Sequence, residues 1–145
     1  MVKFCSSNKI DIFKVKDFYC KYATWGVTNS YDDWKTIIEN SNCIITVWDN
    51  DKLIGMSRAL SDGVRWATIV DVLIHPNYRS NQIGSMMIEK LMELDKMQVR
   101  TIYLATADKK KFYNRLGFKT VNENCYYMVK VNKTVESKYF TPVNK

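Results

Sequence analysis

The chain has 145 residues, 46% of them hydrophobic, which is enough to bury the core of one compact domain. Its formal net charge is +7, and the basic residues form no long block and no stripe interleaved with aromatic residues. The sequence has no apolar run near the roughly 20 residues that span a bilayer, and its first residues lack the apolar stretch of a secretory signal. We therefore expect a cytoplasmic protein with no nucleic-acid partner and no membrane partner.

The cysteines and the single histidine argue against metal and triad chemistry. Cys5, Cys20, Cys43 and Cys125 lie far apart and form no C-x-x-C pair, so we expect reduced thiols and no metal site. His75 is the only histidine, which disfavours a Ser-His-Asp triad and a site with several histidine ligands.

The first half of the chain alternates between strand patterns and helical spacing. A short strand over 2–6 precedes an amphipathic helix from residue 10 to about residue 25. Ser30 is placed to cap a second helix over 31–40, with acidic residues in its favourable first turn. Runs rich in β-branched and aromatic residues then predict three strands, over 43–48, 53–60 and 64–74, the third buried on both faces.

The second half predicts one long helix and several short elements. The helix covers 83–97, and Gly117 ends a short helix over 109–116. Strands are predicted over 99–106, 118–121 and 125–131. We expect a single domain over 1–131 and a C-terminal tail over 132–145. The order β-α-α-β-β-β-α-β-α-β-β predicts an α/β (α+β) domain built around one mixed sheet.

The junction between the third of these strands and the long helix could bind an anion. It carries Arg79 and, at the start of the helix, Gly84. Unpaired N–H groups and the dipole at a helix N-terminus favour a phosphate, and a glycine lets backbone approach it. On these grounds alone an ordinary tight turn is the preferred interpretation of this segment. Neither a P-loop nor a dinucleotide-binding glycine pattern is present.

Two stretches together resemble the acetyl-CoA signature of the GNAT acetyltransferases. The first is 71–85, DVLIHPNYRSNQIGS, and the second is 112–118, FYNRLGF, which is similar to the family's F-Y-x-x-L-G-F motif. By this resemblance the chain is identified as a member of the GNAT superfamily, of the small bacterial type. The resemblance implies the GNAT fold, with a central mixed sheet, two splayed parallel strands and flanking helices. It also implies an acetyl-CoA-dependent N-acetyltransferase with acetyl-CoA as cosubstrate and no metal.

The same resemblance implies which residues hold acetyl-CoA. Backbone groups of Val72, Leu73 and Ile74 would pair with the pantetheine arm while their side chains pack in the core. The pyrophosphate loop would consist of Arg79, Ser80, Asn81, Gln82, Ile83, Gly84 and Ser85. Gln82 stands where the family pattern has its first glycine, a departure that glucosamine-phosphate acetyltransferases share.

Two catalytic residues follow from the resemblance. Tyr113 matches the tyrosine that acts as general acid toward the CoA thiolate. Many family members carry a glutamate base at the place of Val70, which cannot act as one. Asp71 is the preferred base, with Asp62 and Glu39 left open, and Asp71 could equally be a buried carboxylate that caps backbone N–H groups.

The expected reaction is direct attack of a primary amine on the thioester through a tetrahedral intermediate. The acceptor is expected to be a small-molecule amine, held among aromatic residues of the first helices and the hairpin. The candidate pocket residues are Trp25, Tyr31, Trp34, Trp48 and Trp66. A protein or peptide amine remains an alternative. A non-catalytic acyl-CoA-binding module is disfavoured by Tyr113, and a homodimer is left open.

Overall fold

The structure, a computed structural model, describes residues 1–25, 27–121 and 128–135, and up to Gly117 it contains five strands and four α-helices; residues 133–135 are also helical. In chain order they are β1 (Val2–Cys5), α1 (Ile12–Tyr22), α2 (Tyr31–Glu39), β2 (Cys43–Asp49), β3 (Lys52–Ser61), β4 (Trp66–Ile74), α3 (Ile83–Glu93), β5 (Thr101–Tyr103) and α4 (Lys110–Arg115). Short 3-10 turns cover Pro76–Tyr78 and Asp95–Met97. The predicted order of elements is confirmed from β1 to α4.

The five strands form one mixed sheet in the order β1-β2-β3-β4-β5. The first four strands are antiparallel, whereas β4 and β5 run parallel and pair at three positions, the last being Thr68 with Tyr103. Beyond Thr68, no described strand pairs with β4 on its β5 side. The predicted mixed sheet with splayed parallel strands is therefore confirmed.

Helices cover both faces of the sheet. On one face α1 and α2 pack with residues of β2, β3 and β4, around the fully buried Trp34 and Tyr19. On the other face α3 presents an apolar stripe to the sheet. Each fully buried Leu, Ile or Met side chain stabilises a fold by roughly 1.5–3 kcal/mol. The buried residues of that stripe are Ile83, Met87, Ile88 and Leu91.

β4 is less buried than its apolar sequence predicts. Its residues alternate between buried and half-buried at first, and 70–72 are all half-buried. The prediction of a strand buried on both faces is wrong in this part, because β5 and the helices leave the end of β4 partly uncovered.

Three C-terminal predictions differ from the structure. Residues 118–121 form no strand, because Phe118 donates its N–H back to the carbonyl of Tyr113 and closes the end of α4. The strand predicted over 99–106 is cut to three residues, and its pairing with β4 ends at Thr68 and Tyr103. The helix predicted over 83–97 ends at Glu93, and a separate 3-10 turn covers Asp95–Met97.

Some predictions concern residues that the structure describes only in part. Of the strand predicted over 125–131, residues 125–127 lie outside the described residues, and 128–131 form no strand. Residues 136–145 also lie outside them, so the boundary between domain and tail stays a prediction. Cys5, Cys20 and Cys43 are free thiols, and Cys125 lies outside the described part.

The described residues contain neither a membrane-spanning helix nor a metal-binding cluster. None of their helices is both long and apolar enough to cross a bilayer. They also contain no group of three or more His, Cys, Asp or Glu side chains placed to hold a metal ion.

The start of α2 is held by a capping box, as the sequence predicts. The Ser30 hydroxyl accepts the N–H of Asp33 at 3.1 Å, and the Asp33 carboxylate accepts the N–H of Ser30 at 3.2 Å. Each of these bonds satisfies an N–H group that the helix itself leaves unpaired.

Replacing Ser30→Ala removes one of these two bonds. We expect the free energy of unfolding to fall by about 1 kcal/mol, the usual effect of losing such a cap. Urea denaturation followed by circular dichroism measures it. Ser6→Ala, at an exposed serine outside the helices, is the matched control and should stay within about 0.5 kcal/mol of the parent. Equal stability of all three proteins would contradict the capping role.

Candidate active site

The unpaired edge of β4 is the backbone feature from which the site is built. Leu73 is buried under α1, while Val72 and Ile74 are half-buried against the α3 side of the sheet. These side chains thus take part in the two cores, as the sequence predicts. Their N–H and C=O groups on the β5 side face no described strand, which leaves them available to an extended ligand.

A β-bulge interrupts β4 next to this edge. Met56 pairs with Leu73 and Arg58 with Val70, so Asp71 and Val72 together lie opposite the single residue Ser57. Asp71 has a φ of +55°, in the left-handed region that non-glycine residues seldom occupy. Its carbonyl accepts a hydrogen bond from the hydroxyl of Tyr19 on α1. The bulge therefore turns this peptide toward the helix layer.

The side chain of Asp71 is held by an ion pair. The Nε–H of Arg58 donates to Asp71 Oδ2 at 2.7 Å, and the side chains are 16% and 22% exposed. Arg58 Nη1 also donates to Ser41 Oγ at 3.3 Å. Asp71 Oδ1 has no hydrogen bond within the described residues, so it is the oxygen open to a proton or a water molecule.

The two other carboxylates considered as a base have different surroundings. Asp62 lies in the turn before β4, where it accepts the backbone N–H groups of Val64, Arg65 and Trp66. These three bonds lower the pKa of Asp62 and mark it as the residue that closes the turn. Glu39 is an exposed residue at the end of α2.

The loop from β4 to α3 leads into a helix start whose first backbone N–H groups have no side-chain cap among the described residues. Ser80 and Gln82 have φ of +69° and +61°, and no described side chain caps the N-terminus of α3. Met86 donates to the carbonyl of Gln82 at 3.0 Å, so the N–H groups of 83–85 precede this bond. The guanidinium of Arg79 donates to the carbonyl of Ile74 at 3.2 Å, which ties the loop to the end of β4.

The two motif stretches meet in space. A Cβ atom on Gly84 would lie 3.4 Å from the ring of Phe112 and 3.7 Å from the side chain of Ile74. The start of α3 therefore contacts both α4 and the end of β4. A side chain larger than a methyl group at position 84 would therefore extend toward both neighbours.

Tyr113 lies next to this contact. Its side chain is 8% exposed and packs edge-to-face with the rings of Phe112 and Phe118, at 4.9 and 5.9 Å. Burial raises the pKa of Tyr113 to about 12. Within the described residues no hydrogen bond holds its hydroxyl, which is therefore free to donate to a ligand.

The aromatic residues expected to line an amine pocket are divided by the fold. Trp34 is buried in the core, and Trp66 stacks on Tyr103 at 5.2 Å, with Arg65 and Arg100 over its ring. Trp25 is 41% exposed, and its ring lies 6.5 Å from that of Tyr19.

Sequence reasoning missed the partners of Asp71. Arg58 lies thirteen residues before it, and Tyr19 lies fifty-two residues before it on another element. Apolar spacing placed Tyr19 on a helix, but no local pattern connects its hydroxyl to a bulge in a distant strand.

Comparisons with known proteins agree with this arrangement. The family model described as "Acetyltransferase (GNAT) family" matches residues 12–118. An uncharacterized N-acetyltransferase, ycf52, of Pyropia yezoensis is 35% identical over 122 residues, covering 79% of this chain and 69% of that protein. The histone acetyltransferase TAP1 of Glycine max is 42% identical over 72 residues, covering 48% of this chain and 31% of that protein.

A solved structure shows the same fold. It is a probable acetyltransferase from meticillin-resistant Staphylococcus aureus, 21% identical to this chain, with a TM-score of 0.79. The alignment covers 91% of this chain and all of the other.

Gly84→Val tests the contact between α3 and α4. The two γ-methyl groups of valine extend beyond a Cβ that would already touch Phe112, so we expect acetyl-CoA affinity to fall at least about tenfold, about 1.4 kcal/mol. Isothermal titration with acetyl-CoA measures this. Met86→Val introduces the same side chain at an exposed position on the same helix and should bind within about twofold of the parent. Equal affinities for the two variants would contradict the placement of the loop.

Proposed function

Because the chain belongs to the GNAT family of acetyltransferases, we propose that it transfers the acetyl group of acetyl-CoA to the primary amine of a small molecule. The observation that carries this proposal is the meeting of the two motif stretches at Gly84 and Phe112, beside the unpaired edge of β4. In this proposal the loop at the start of α3 binds an anion, and it lies beside the end of β4 and the α4 residues next to the buried Tyr113.

The residues of the loop, of the end of β4 and of α4 fit the chemical groups of acetyl-CoA. The N–H groups of 83–85 at the uncapped start of α3 suit a pyrophosphate, and Arg79 ties the loop to β4 and adds positive charge. The free backbone of Val72, Leu73 and Ile74 suits the amide groups of a pantetheine arm. Ser80, Asn81, Gln82 and Ser85 complete the loop in this proposal. Acetyl-CoA supplies the activated acetyl group.

The transfer requires one new bond, one broken bond and two proton movements. The neutral amine attacks the thioester carbon, the C–N bond forms, and the C–S bond breaks to release CoA thiolate. In our proposal a backbone N–H of β4 stabilises the negative charge on the carbonyl oxygen. In this proposal Tyr113 then gives its proton to the thiolate, and its raised pKa of about 12 means that it carries that proton at neutral pH.

Asp71 is our candidate for the base that takes the proton of the amine. Its Oδ1 is open, while Oδ2 is engaged by Arg58, so the proton would pass to Oδ1 directly or through a water molecule. Asp62 is a weaker candidate because it closes the turn before β4.

The acceptor pocket is proposed to lie beside α1 and the loop that follows it. Trp25 is exposed there and lies near Tyr19, whose hydroxyl bonds to Asp71, so an amine held against Trp25 would be close to the bulge. The net charge of +7 repels acceptors with several positive charges at long range. We therefore favour a monoamine with an apolar or aromatic body.

A protein amine is the second candidate. The observation that favours it is the 42% identity over 72 residues with a soybean protein named as a histone acetyltransferase. The positive net charge of this chain disfavours a basic tail as the acceptor. A cytoplasmic location, the lack of nucleic-acid and membrane partners, and the choice between monomer and homodimer stay predictions.

Acetyl-CoA should stabilise the protein and support amine-dependent release of CoA. At a ligand concentration 100 times the dissociation constant, the stabilisation should be about 2.7 kcal/mol, seen as a higher melting temperature. A panel of aromatic, aliphatic and polycationic amines and a basic peptide, each followed by thiol release, then ranks the acceptors. Gly84→Val is the matched control and should show a smaller shift. An unchanged melting temperature at millimolar acetyl-CoA would overturn the proposed function.

Tyr113→Phe should lower turnover by about 10²–10⁴-fold and leave acetyl-CoA affinity nearly unchanged, because the hydroxyl acts when the thiolate departs. A pKa of about 12 keeps the phenol protonated below about pH 10, so removing it should not alter the shape of the pH profile there. Steady-state kinetics with the best amine of the panel measures both effects.

Tyr103→Phe, at an exposed tyrosine of β5, is the control and should keep parental turnover. Turnover of Tyr113→Phe within about twofold of the parent at every pH would remove Tyr113 from the mechanism.

A further inference from the structure

Tyr19 is a buried polar residue that the proposed mechanism does not use. Its side chain is fully buried between α1 and the sheet, and its ring stacks on Trp34 at 4.7 Å with 22° between the planes. Its hydroxyl donates to the carbonyl of Asp71. Burial, and next the negative charge of Asp71, raise the pKa of Tyr19 well above its usual value, so the hydroxyl stays a donor.

This hydrogen bond acts on the most unusual peptide of β4. Asp71 itself has a φ of +55°, and its carbonyl is directed to the helix layer. The structure contains no cis peptide among its described residues, and in a trans peptide the C=O and the next N–H point in opposite directions. The N–H of Val72 is therefore turned away from α1, on the part of β4 that has no partner strand on the β5 side.

A second contact fixes the same residue from its side chain. Arg58 holds Asp71 Oδ2 and also donates to Ser41 Oγ, and the Ser41 hydroxyl donates to the carbonyl of Ile37 at 2.6 Å. Asp71 is thus tied to both helices of this face, to α1 through its carbonyl and to α2 through its carboxylate. Loss of the Tyr19 hydroxyl leaves the Arg58 contact in place, so we expect a variant without that hydroxyl to keep the fold.

We propose that Tyr19 is a positioning residue for acetyl transfer, whose hydroxyl orients the Asp71–Val72 peptide so that the Val72 N–H donates to the thioester carbonyl of bound acetyl-CoA. This inference rests on the proposed function, because it assigns the donor orientation within that same site. Tyr19 acts through the backbone and touches neither substrate. A proton donor fixed in advance stabilises developing negative charge better than one that must first reorient.

The test observes the bound thioester directly and needs no acceptor. The carbonyl stretch of [1-13C]acetyl-CoA is recorded by isotope-edited infrared spectroscopy, free and bound to the full chain. A donor on the carbonyl oxygen lowers the stretching frequency, so the parent should show a downshift on binding. Tyr19→Phe should lose most of that downshift while its acetyl-CoA dissociation constant stays within about threefold. Tyr22→Phe, the same change one turn later on α1, is the control and should keep the full downshift.

Replacing Tyr19 by p-aminophenylalanine restores an N–H donor at the same place and should restore the downshift. This variant also decides the matter if Tyr19→Phe fails to fold. A full downshift in Tyr19→Phe would overturn the inference, as would its absence in the parent or in a folded p-aminophenylalanine variant that binds acetyl-CoA. Failure of the parent to bind millimolar acetyl-CoA would instead overturn the proposed function and this inference with it.

Discussion

The parallel pairing of β4 and β5 stops after three residue pairs, and the site depends on that early end. Two parallel strands that continued side by side would satisfy each other's N–H and C=O groups and leave no backbone for a ligand. Since β5 ends at Tyr103, β4 continues for six further residues with one free edge. The loop to α3 leaves the same end of β4, so the free edge and the uncapped helix start are neighbours.

The bulge at Asp71 adds a second constraint on this edge. A regular strand would direct the peptide at this position into the ladder with β3, whereas the left-handed conformation of Asp71 directs its carbonyl to α1. Tyr19 and Arg58 provide partners for the carbonyl and carboxylate that the bulge displaces, so buried polar groups stay paired. Ser57, opposite the bulge, is the exception among the described residues, because its buried hydroxyl has no hydrogen-bond partner.

Local patterns predicted most of the fold, and two of the features that they missed depend on residues distant in the sequence. The capped start of α2, the apolar stripe of α3 and the glycine after α4 follow from neighbouring residues, and all are present. The length of β5 depends on whether a distant strand offers a ladder, which no window of sequence contains. Asp71 is a second example. Its carboxylate and its place next to the predicted cofactor strand marked it as a candidate base, but its left-handed backbone and its contact with Tyr19 arise from tertiary structure.

The stack of Trp66 on Tyr103 affects the stiffness of the sheet where β4 and β5 separate. It joins side chains of the three-residue stretch in which β4 and β5 still pair. The guanidinium groups of Arg65 and Arg100 lie over the indole. These side chains thus strengthen the contact between β4 and β5, whose backbones pair at only three positions. Beyond Thr68 and Tyr103 no backbone ladder within the described chain connects β4 and β5. A ligand that formed hydrogen bonds to the backbone of both strands there would replace the absent ladder and stiffen the sheet as it binds.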